Sequence, residues 1–274
     1  MSGTDLLIHP SAVVHPKARL AEGVRIGPGC VIGEHVSIGG GTTFESNVFV
    51  GGWTDIGVGN QFSSFSSIGT EPQDVGYTGD ETHVRIGDRN IFREFVTVNR
   101  GTVKGGGLTR IGDDGYFMAY VHIAHDCQVG NRVILINAAT LGGHVEVGDG
   151  VMMSAFSAVH QFSRIGRSAF IGGFSVITKD VVPYCKVAGQ RPVHILGPNS
   201  IGLRRIGFSG ERIRRIKVLF DILFFSDLNT RQAVDRIQAE FPPDGDRDEI
   251  LNFIAGSKRG IVKKSSETWE NDSE

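Results

Sequence analysis

The chain has 274 residues and a formal net charge of −2 at pH 7, enough length for one large domain or a domain with an appendage. The near-neutral balance excludes a global basic surface of the kind that nucleic-acid binders carry, so no nucleic-acid partner is expected. Cys30, Cys127 and Cys185 are odd in number and far apart, which argues against a disulfide framework or a zinc knuckle; with no basic-then-apolar leader and no apolar run near the roughly 20 residues of a membrane span, the expectation is a cytoplasmic protein with no stable membrane insertion.

From Val14 onward one aliphatic or aromatic residue recurs every six positions: Leu20, Ile26, Ile32, Ile38, Phe44, Val50, Ile56, Phe62 and Ile68 follow without a miss. Ile86, Phe92 and Val98 keep the phase, and after a slip of one residue it resumes at Ile111 and runs through Ile123, Leu141 and Val159 to Ile177. An amphipathic helix would space its apolar residues by three and four, and a half-exposed strand by two. A strict six leaves a mainly β protein built as a parallel β-helix of hexapeptide repeats, in which each hexad is a short strand and a corner, with glycine often at the turn. Three hexads close a coil, so residues about 18 apart stack one above another at roughly 4.8 Å.

Two interruptions fall inside this wall. Asp74 and Asp80 stand where aliphatic residues are due, and the phase slips within NRGTVKGGGLTR, so excursion loops are expected near 71–83 and 99–110. Loops that leave a rigid scaffold commonly carry binding residues. The β-helix is assigned to 1–197 and an α-helical C-terminal domain to 198–274. There Ile213, Ile216, Leu219, Phe220, Leu223 and Phe224 mark one helical face, Ala233, Val234 and Ile237 a second helix, and DRDEILNFIAG a third. The acidic end, SSETWENDSE, reads as a disordered tail.

His125, His144 and His160 are separated by nearly one coil each, and His122 shares the coil of His125, flanked by Asp126 and, further on, Gln161. Single histidines such as His9, His15 or His35 read as solvent-exposed decoration; four on adjacent coils do not. Two chemistries fit the cluster. A histidine titrates near neutral pH and can act as a general base, worth about 10²- to 10⁴-fold in rate. Alternatively, three imidazoles could hold a divalent metal that activates water, as in γ-class carbonic anhydrases, which requires three nitrogens converging at about 2.1 Å on one ion. Spacing alone leaves both open.

The runs EPQDVGYTG, IGDRNIFREFVTVNRGT, HIAHDCQVGNRVILINAATLGGHVEVGD, AVHQF, GLRRIGFS and SKRGI resemble, in order and over nearly the whole chain, the UDP-N-acetylglucosamine O-acyltransferases that begin lipid A biosynthesis. The resemblance implies a left-handed β-helix with a helical C-terminal domain, a homotrimer with active sites in the clefts between subunits, and no metal or organic cofactor. It implies transfer of an R-3-hydroxyacyl chain from acyl carrier protein to the 3-position of the sugar of UDP-N-acetylglucosamine, or of a 3-amino analogue of that acceptor. By the same resemblance His125 is the general base, Asp126 orients it, and the backbone N–H of Gly143 faces the developing oxyanion. By the same resemblance Gln73, Asp74, His122, His144, His160 and Gln161 match positions lining the sugar, phosphate and acyl sites, and Asn199 and Arg205 match nucleotide-binding positions.

Phe170, Gly172 and Gly173 match residues closing the hydrocarbon groove, where the small Gly173 permits a longer chain. The chain departs from the pattern at Gly76, where familiar members carry a lysine, at Arg191 in place of a histidine, and at Ile201 and Ile206 in place of a glutamate and an arginine. Gly76 therefore removes a possible cation from the sugar-nucleotide site. Arg204, Arg205, Arg212, Arg214, Arg215 and Lys217 form a local basic cluster suited to steering an acidic carrier protein. Three rivals remain: the related N-acyltransferase of the same pathway, which adds an N-terminal uridine-binding domain for which the early start of the hexads leaves no room; a metal-dependent hydratase; and a scaffold that uses the repeat only for assembly.

Overall fold

A computed structural model of the chain describes residues 8–264; the acidic tail expected at the C-terminus lies outside them. Most strands are two residues long, such as His122–Ile123 and Thr140–Leu141, and each contributes one inward residue to a narrow core. Among the described residues they stack into three sheets of nine, eight and ten strands, parallel throughout the coil, that form its three walls. Successive coils pair in register, Ile123 over Val98 and under Leu141, because the hexad returns the same face of the chain to the same wall. The coil is left-handed.

The inward column is close-packed. Phe44, Phe62, Phe92 and Phe117 stack with ring centroids 4.7–4.8 Å apart, the spacing between strands, so the aromatic rings repeat the backbone period. At the corners the expectation of glycine is only partly met. Many corners carry non-glycine residues in the left-handed region, Asp126, His144 and Phe162 among them at φ 62°, 62° and 63°. These three are 18 residues apart and share the corner between the nine- and eight-stranded walls.

The two excursions leave the coil between strands. The first runs from the end of Ser67–Thr70 to the start of His83–Ile86. The second is shorter than 99–110, since Asn99 closes the strand Thr97–Asn99 and Leu108–Ile111 is already paired to His83–Ile86. Between them Thr102 caps a single 3-10 turn, Val103–Gly105, ended by Gly106 at φ 93°.

The ten-stranded wall ends in an antiparallel hairpin, Cys185–Ala188 with His194–Pro198. Among the described residues four helices follow: α1 (Ser200–Arg205), α2 (Gly210–Phe224), α3 (Thr230–Glu240) and α4 (Gly245–Ala255). Asn199, Ser209, Asn229 and Asp244 cap them in turn through side-chain oxygens, and Asn229 completes a capping box with Gln232. α2 buries the face expected from its spacing, with Ile213, Ile216, Leu219, Phe220, Leu223 and Phe224 all inside. The helices are bolted to the coil by a buried polar group: the Tyr184 hydroxyl contacts Asp246 at 2.9 Å and Glu249 at 2.7 Å. Asp246 in turn takes two hydrogen bonds from Arg212, at 2.6 and 2.7 Å. Burial alone would raise the Asp246 carboxyl, but the hydrogen bonds from Arg212 and Tyr184 outweigh it and hold the group below its ordinary value. No helix among the described residues is long and apolar enough to cross a membrane.

Candidate active site

The corner that bears Asp126 also carries the histidines. Left-handed backbone at Asp126 turns its carboxylate back under the preceding residue, and Nδ1 of His125 meets Oδ2 at 2.8 Å. The turn is fixed from both sides. The Asp126 N–H donates to Thr109 Oγ1 at 2.7 Å, while Thr102 donates its N–H to Oδ1 at 2.9 Å and its hydroxyl to Oδ2 at 2.7 Å. The second excursion thus lies as a lid on the carboxylate, and a Cβ on Gly105 would sit only 2.1 Å from Asp126 Cγ. The Asp126 side chain is 1% exposed and that of His125 13%.

With Nδ1 turned to Asp126, Nε2 of His125 points away from it, toward Gly143. A Cβ there would lie 2.5 Å from His125 Cε1 and 2.7 Å from Nε2, so only glycine fits beside the ring as it stands. Among the described residues no acceptor takes the Gly143 N–H.

His144, one coil on, packs edge-to-face on His125 with centroids 5.1 Å apart and stacks on Phe162 at 4.3 Å. Its Nε2 is 3.7 Å from Asp126 Oδ2. Burial holds its imidazole below the ordinary histidine value, with His125 adding, against the opposing pull of Asp126 and of Asp74 in the first excursion. His122 bonds Thr97 Oγ1 through Nδ1 at 2.7 Å and is likewise held low, by burial first and His125 second. Both are therefore biased toward neutral imidazoles that accept or donate single hydrogen bonds. Cys127, next to the dyad, offers no competing nucleophile: burial pushes its thiol up to about 12.

The other expected residues divide. His160 and Gln161 are exposed on the next coil, with His160 Nδ1 bonded to Gln161 O at 3.0 Å. Asp74 accepts from the Gly76 N–H at 2.9 Å, and Gln73 borders a cleft of about 750 Å³ together with Phe49, Thr97 and Arg100. Arg100 was not singled out from the sequence, yet it organises the excursion. It is 6% exposed and donates to Tyr77 Oη at 2.8 and 3.1 Å, to Gly69 O at 3.1 Å and to Glu71 at 3.2 Å.

Asn199 and Arg205 are not brought to the dyad within one chain. Asn199 caps α1 and donates to Ser168 O at 3.1 Å, at a different corner of the coil from His144. Phe170 belongs to the ten-stranded wall, in a column with Met152 and with Lys186, whose Nζ is 6.0 Å from its ring. Gly172 closely approaches Ala188, whereas Gly173 is exposed. Of the basic cluster, Arg212 is committed to Asp246 and lies 3.5 Å from the Phe208 ring centroid, and Arg215 pairs with Glu211; Arg204, Arg205, Arg214 and Lys217 stay exposed.

Among the described residues the three-nitrogen metal reading is not assembled: the cluster with converging ligand atoms is His125, Asp126 and His144, and both Asp126 oxygens are already taken by Thr102. A hexapeptide coil presenting a buried aspartate–histidine pair to a glycine-lined space defines a transferase of the hexapeptide class. The model of bacterial transferase hexapeptide repeats matches residues 5–40, and that of UDP-N-acetylglucosamine O-acyltransferase domain 2 matches residues 180–262. A curated acyl-[acyl-carrier-protein]--UDP-N-acetylglucosamine O-acyltransferase from Syntrophobacter fumaroxidans is 47% identical over 93% of this chain and 99% of its own length. The UDP-N-acetylglucosamine acyltransferase structure from Francisella novicida superposes with a TM-score of 0.92 at 38% identity, covering 94% of this chain and 95% of that one. LpxA from Acinetobacter baumannii gives 0.90 at 41% identity, covering 94% of this chain and all of its own. The chain belongs to the UDP-N-acetylglucosamine O-acyltransferase family.

Proposed function

We propose that this chain transfers an R-3-hydroxyacyl group from acyl carrier protein to the 3-position of the sugar of UDP-N-acetylglucosamine, the first step of lipid A biosynthesis, with His125 as general base. The observation that carries the reading is the direction of the His125 ring: Nδ1 is engaged by Asp126, and Nε2 faces space that only a glycine at 143 leaves open. Nε2 takes the proton of the sugar hydroxyl as that oxygen attacks the thioester carbonyl. The buried Asp126 carboxylate then faces the imidazolium that forms and stabilises it. The Gly143 N–H is the donor for the oxyanion of the tetrahedral intermediate. On collapse the carrier thiolate leaves and takes up the proton held by His125.

The acting unit in this proposal is a homotrimer. Two features of the single chain support it. Phe65, Phe95 and Tyr120 form one stack of exposed aromatic rings at the corner between the ten- and nine-stranded walls, and Phe156 and Phe174 form another, an apolar ridge suited to being covered. Asn199 and the Phe170–Gly173 groove lie on other corners and walls than the dyad and Arg205 ends α1, so in this reading a neighbouring copy brings its own to complete a cleft. The exposed Arg204, Arg205, Arg214 and Lys217 steer the acidic carrier protein.

The test is transfer from R-3-hydroxyacyl carrier proteins of graded chain length to UDP-N-acetylglucosamine, with wild type and His125→Ala compared. Product from wild type and a loss of about 10²- to 10⁴-fold in kcat for a folded mutant is expected. An active His125→Ala removes the base assignment, and no product at any chain length removes the acceptor.

A further inference from the structure

The geometry points to Lys104 as a cation that takes the diphosphate of the sugar nucleotide, replacing from the second excursion the charge that Gly76 does not supply in the first. The inference rests on the function proposed above and adds a binding residue to it.

Lys104 sits in the middle of the turn Val103–Gly105, and that turn is anchored at both ends. Thr102, which caps it, is tied to Asp126 by two hydrogen bonds, and Gly105, which ends it, lies against the same carboxylate. The backbone of Lys104 is therefore fixed relative to the dyad. Its side chain runs from there to the first excursion, where Nζ lies 3.7 Å from the point at which a Cβ on Gly76 would project; the same point is 3.4 Å from Asp74 Oδ1. The ammonium consequently stands beside the segment that carries Gln73 and Asp74, although it belongs to another loop.

Its charge is uncommitted. Arg100, the other cation between the excursions, is buried and spent on Tyr77, Glu71 and Gly69. Lys104 is exposed and, among the described residues, makes no ion pair or hydrogen bond. A sugar held with its 3-hydroxyl at His125 Nε2 carries its diphosphate one ring away, with a charge that needs a partner outside the neutral-leaning pair His122 and His144. A lysine is a compact point charge on a flexible stem, able to follow phosphate oxygens without a fixed bidentate geometry.

Steady-state kinetics of the full-length protein test this, with UDP-N-acetylglucosamine and the acyl carrier protein varied in turn. For Lys104→Gln the KM for UDP-N-acetylglucosamine should rise roughly tenfold. The kcat and the KM for the acyl carrier protein should stay within about twofold of wild type. Adding Gly76→Lys should recover most of the lost affinity, since the nearest atoms to a new Cβ are the ends of the Asp74 and Lys104 side chains. An unchanged KM for the sugar nucleotide overturns the inference. So does a rise confined to the acyl carrier protein, which would assign the charge to the phosphodiester of its pantetheine arm. A rise that Gly76→Lys does not relieve also overturns it, because Lys104 would then act on loop shape and not through its charge. Wild-type turnover with an unaffected Lys104→Gln sinks this inference alone, whereas a wild type unable to acylate UDP-N-acetylglucosamine takes the proposed function with it.

Discussion

On the proposed mechanism Thr102 acts at one remove from the chemistry, and its replacement with valine probes that effect. Valine keeps the branched shape and the backbone N–H bond to Asp126 Oδ1, while deleting the 2.7 Å hydroxyl bond to Oδ2 together with the 3.1 Å cap that the hydroxyl accepts from the Gly105 N–H. That oxygen is the one facing His125 Nδ1 at 2.8 Å, and a side chain only 1% exposed gives water little chance to take the vacated position. A hydrogen bond to a charged group contributes about 1.5–3 kcal/mol, part of it to folding and part to holding the carboxylate where the imidazolium forms. If ~1–2 kcal/mol of this is felt in the transition state, kcat falls between roughly fivefold and thirtyfold. The KM values for both substrates should hold, and Thr102→Ser should restore the rate. The decisive assay is a double-mutant cycle with Asp126→Asn: a residue that works through Asp126 should cost almost nothing further once the carboxylate is gone. Should Thr102→Val not fold, Thr102→Ala removes the same hydroxyl and takes its place. A Thr102→Val enzyme with unaltered kcat, or losses that simply multiply in the double mutant, would refute the reasoning.

Two further outcomes are expected. Gly143→Ala would place a methyl 2.5 Å from His125 Cε1, displacing the ring; kcat should drop by about 10²-fold or more while helix content and thermal melting stay near wild type, and near-normal kcat would show that the space beside Nε2 is not where the reaction occurs. Asp246 has a folded-state carboxyl below its ordinary value, so its contribution to stability is present above the unfolded carboxylate range of about pH 4 and is lost as pH falls through the lower folded value. Denaturant midpoints followed by helical circular dichroism should therefore decline in acid for wild type and decline less steeply for Asp246→Asn; parallel curves would dismiss the assignment.

The coil was legible because its period belongs to no other secondary structure, and each inward residue repeats the choice independently. The pairing of His125 with Asp126 was expected from the family resemblance, and the partners are adjacent in the chain. What escaped were contacts made by segments that leave the period. Thr102 meets a carboxylate 24 residues away only because the second excursion folds back over the corner. Gly76 read as a missing cation, and the structure brings Lys104 to that place from a loop whose path no repeat dictates. Arg212 read as one more surface charge in a basic cluster, yet it lies against Phe208 and is held by Asp246, a partner supplied by α4. Corner glycines were over-expected because polar and aromatic residues take left-handed backbone where neighbouring coils pin the turn, as Thr109 does for Asp126.

The stacked phenylalanines at 44, 62, 92 and 117 have a mechanical side. Each ring stacks on its neighbours in the adjoining coils while packing into the same core as the other two walls, so along the coil axis the stack adds a line of nearest-neighbour couplings. Damage to one coil is relayed step by step and fades with distance, which shields the His125 corner from changes accumulating in the early coils. The inward member of each hexad must keep its size and apolar character, and the segments anchored on Asp126 are constrained in addition by the carboxylate they cover.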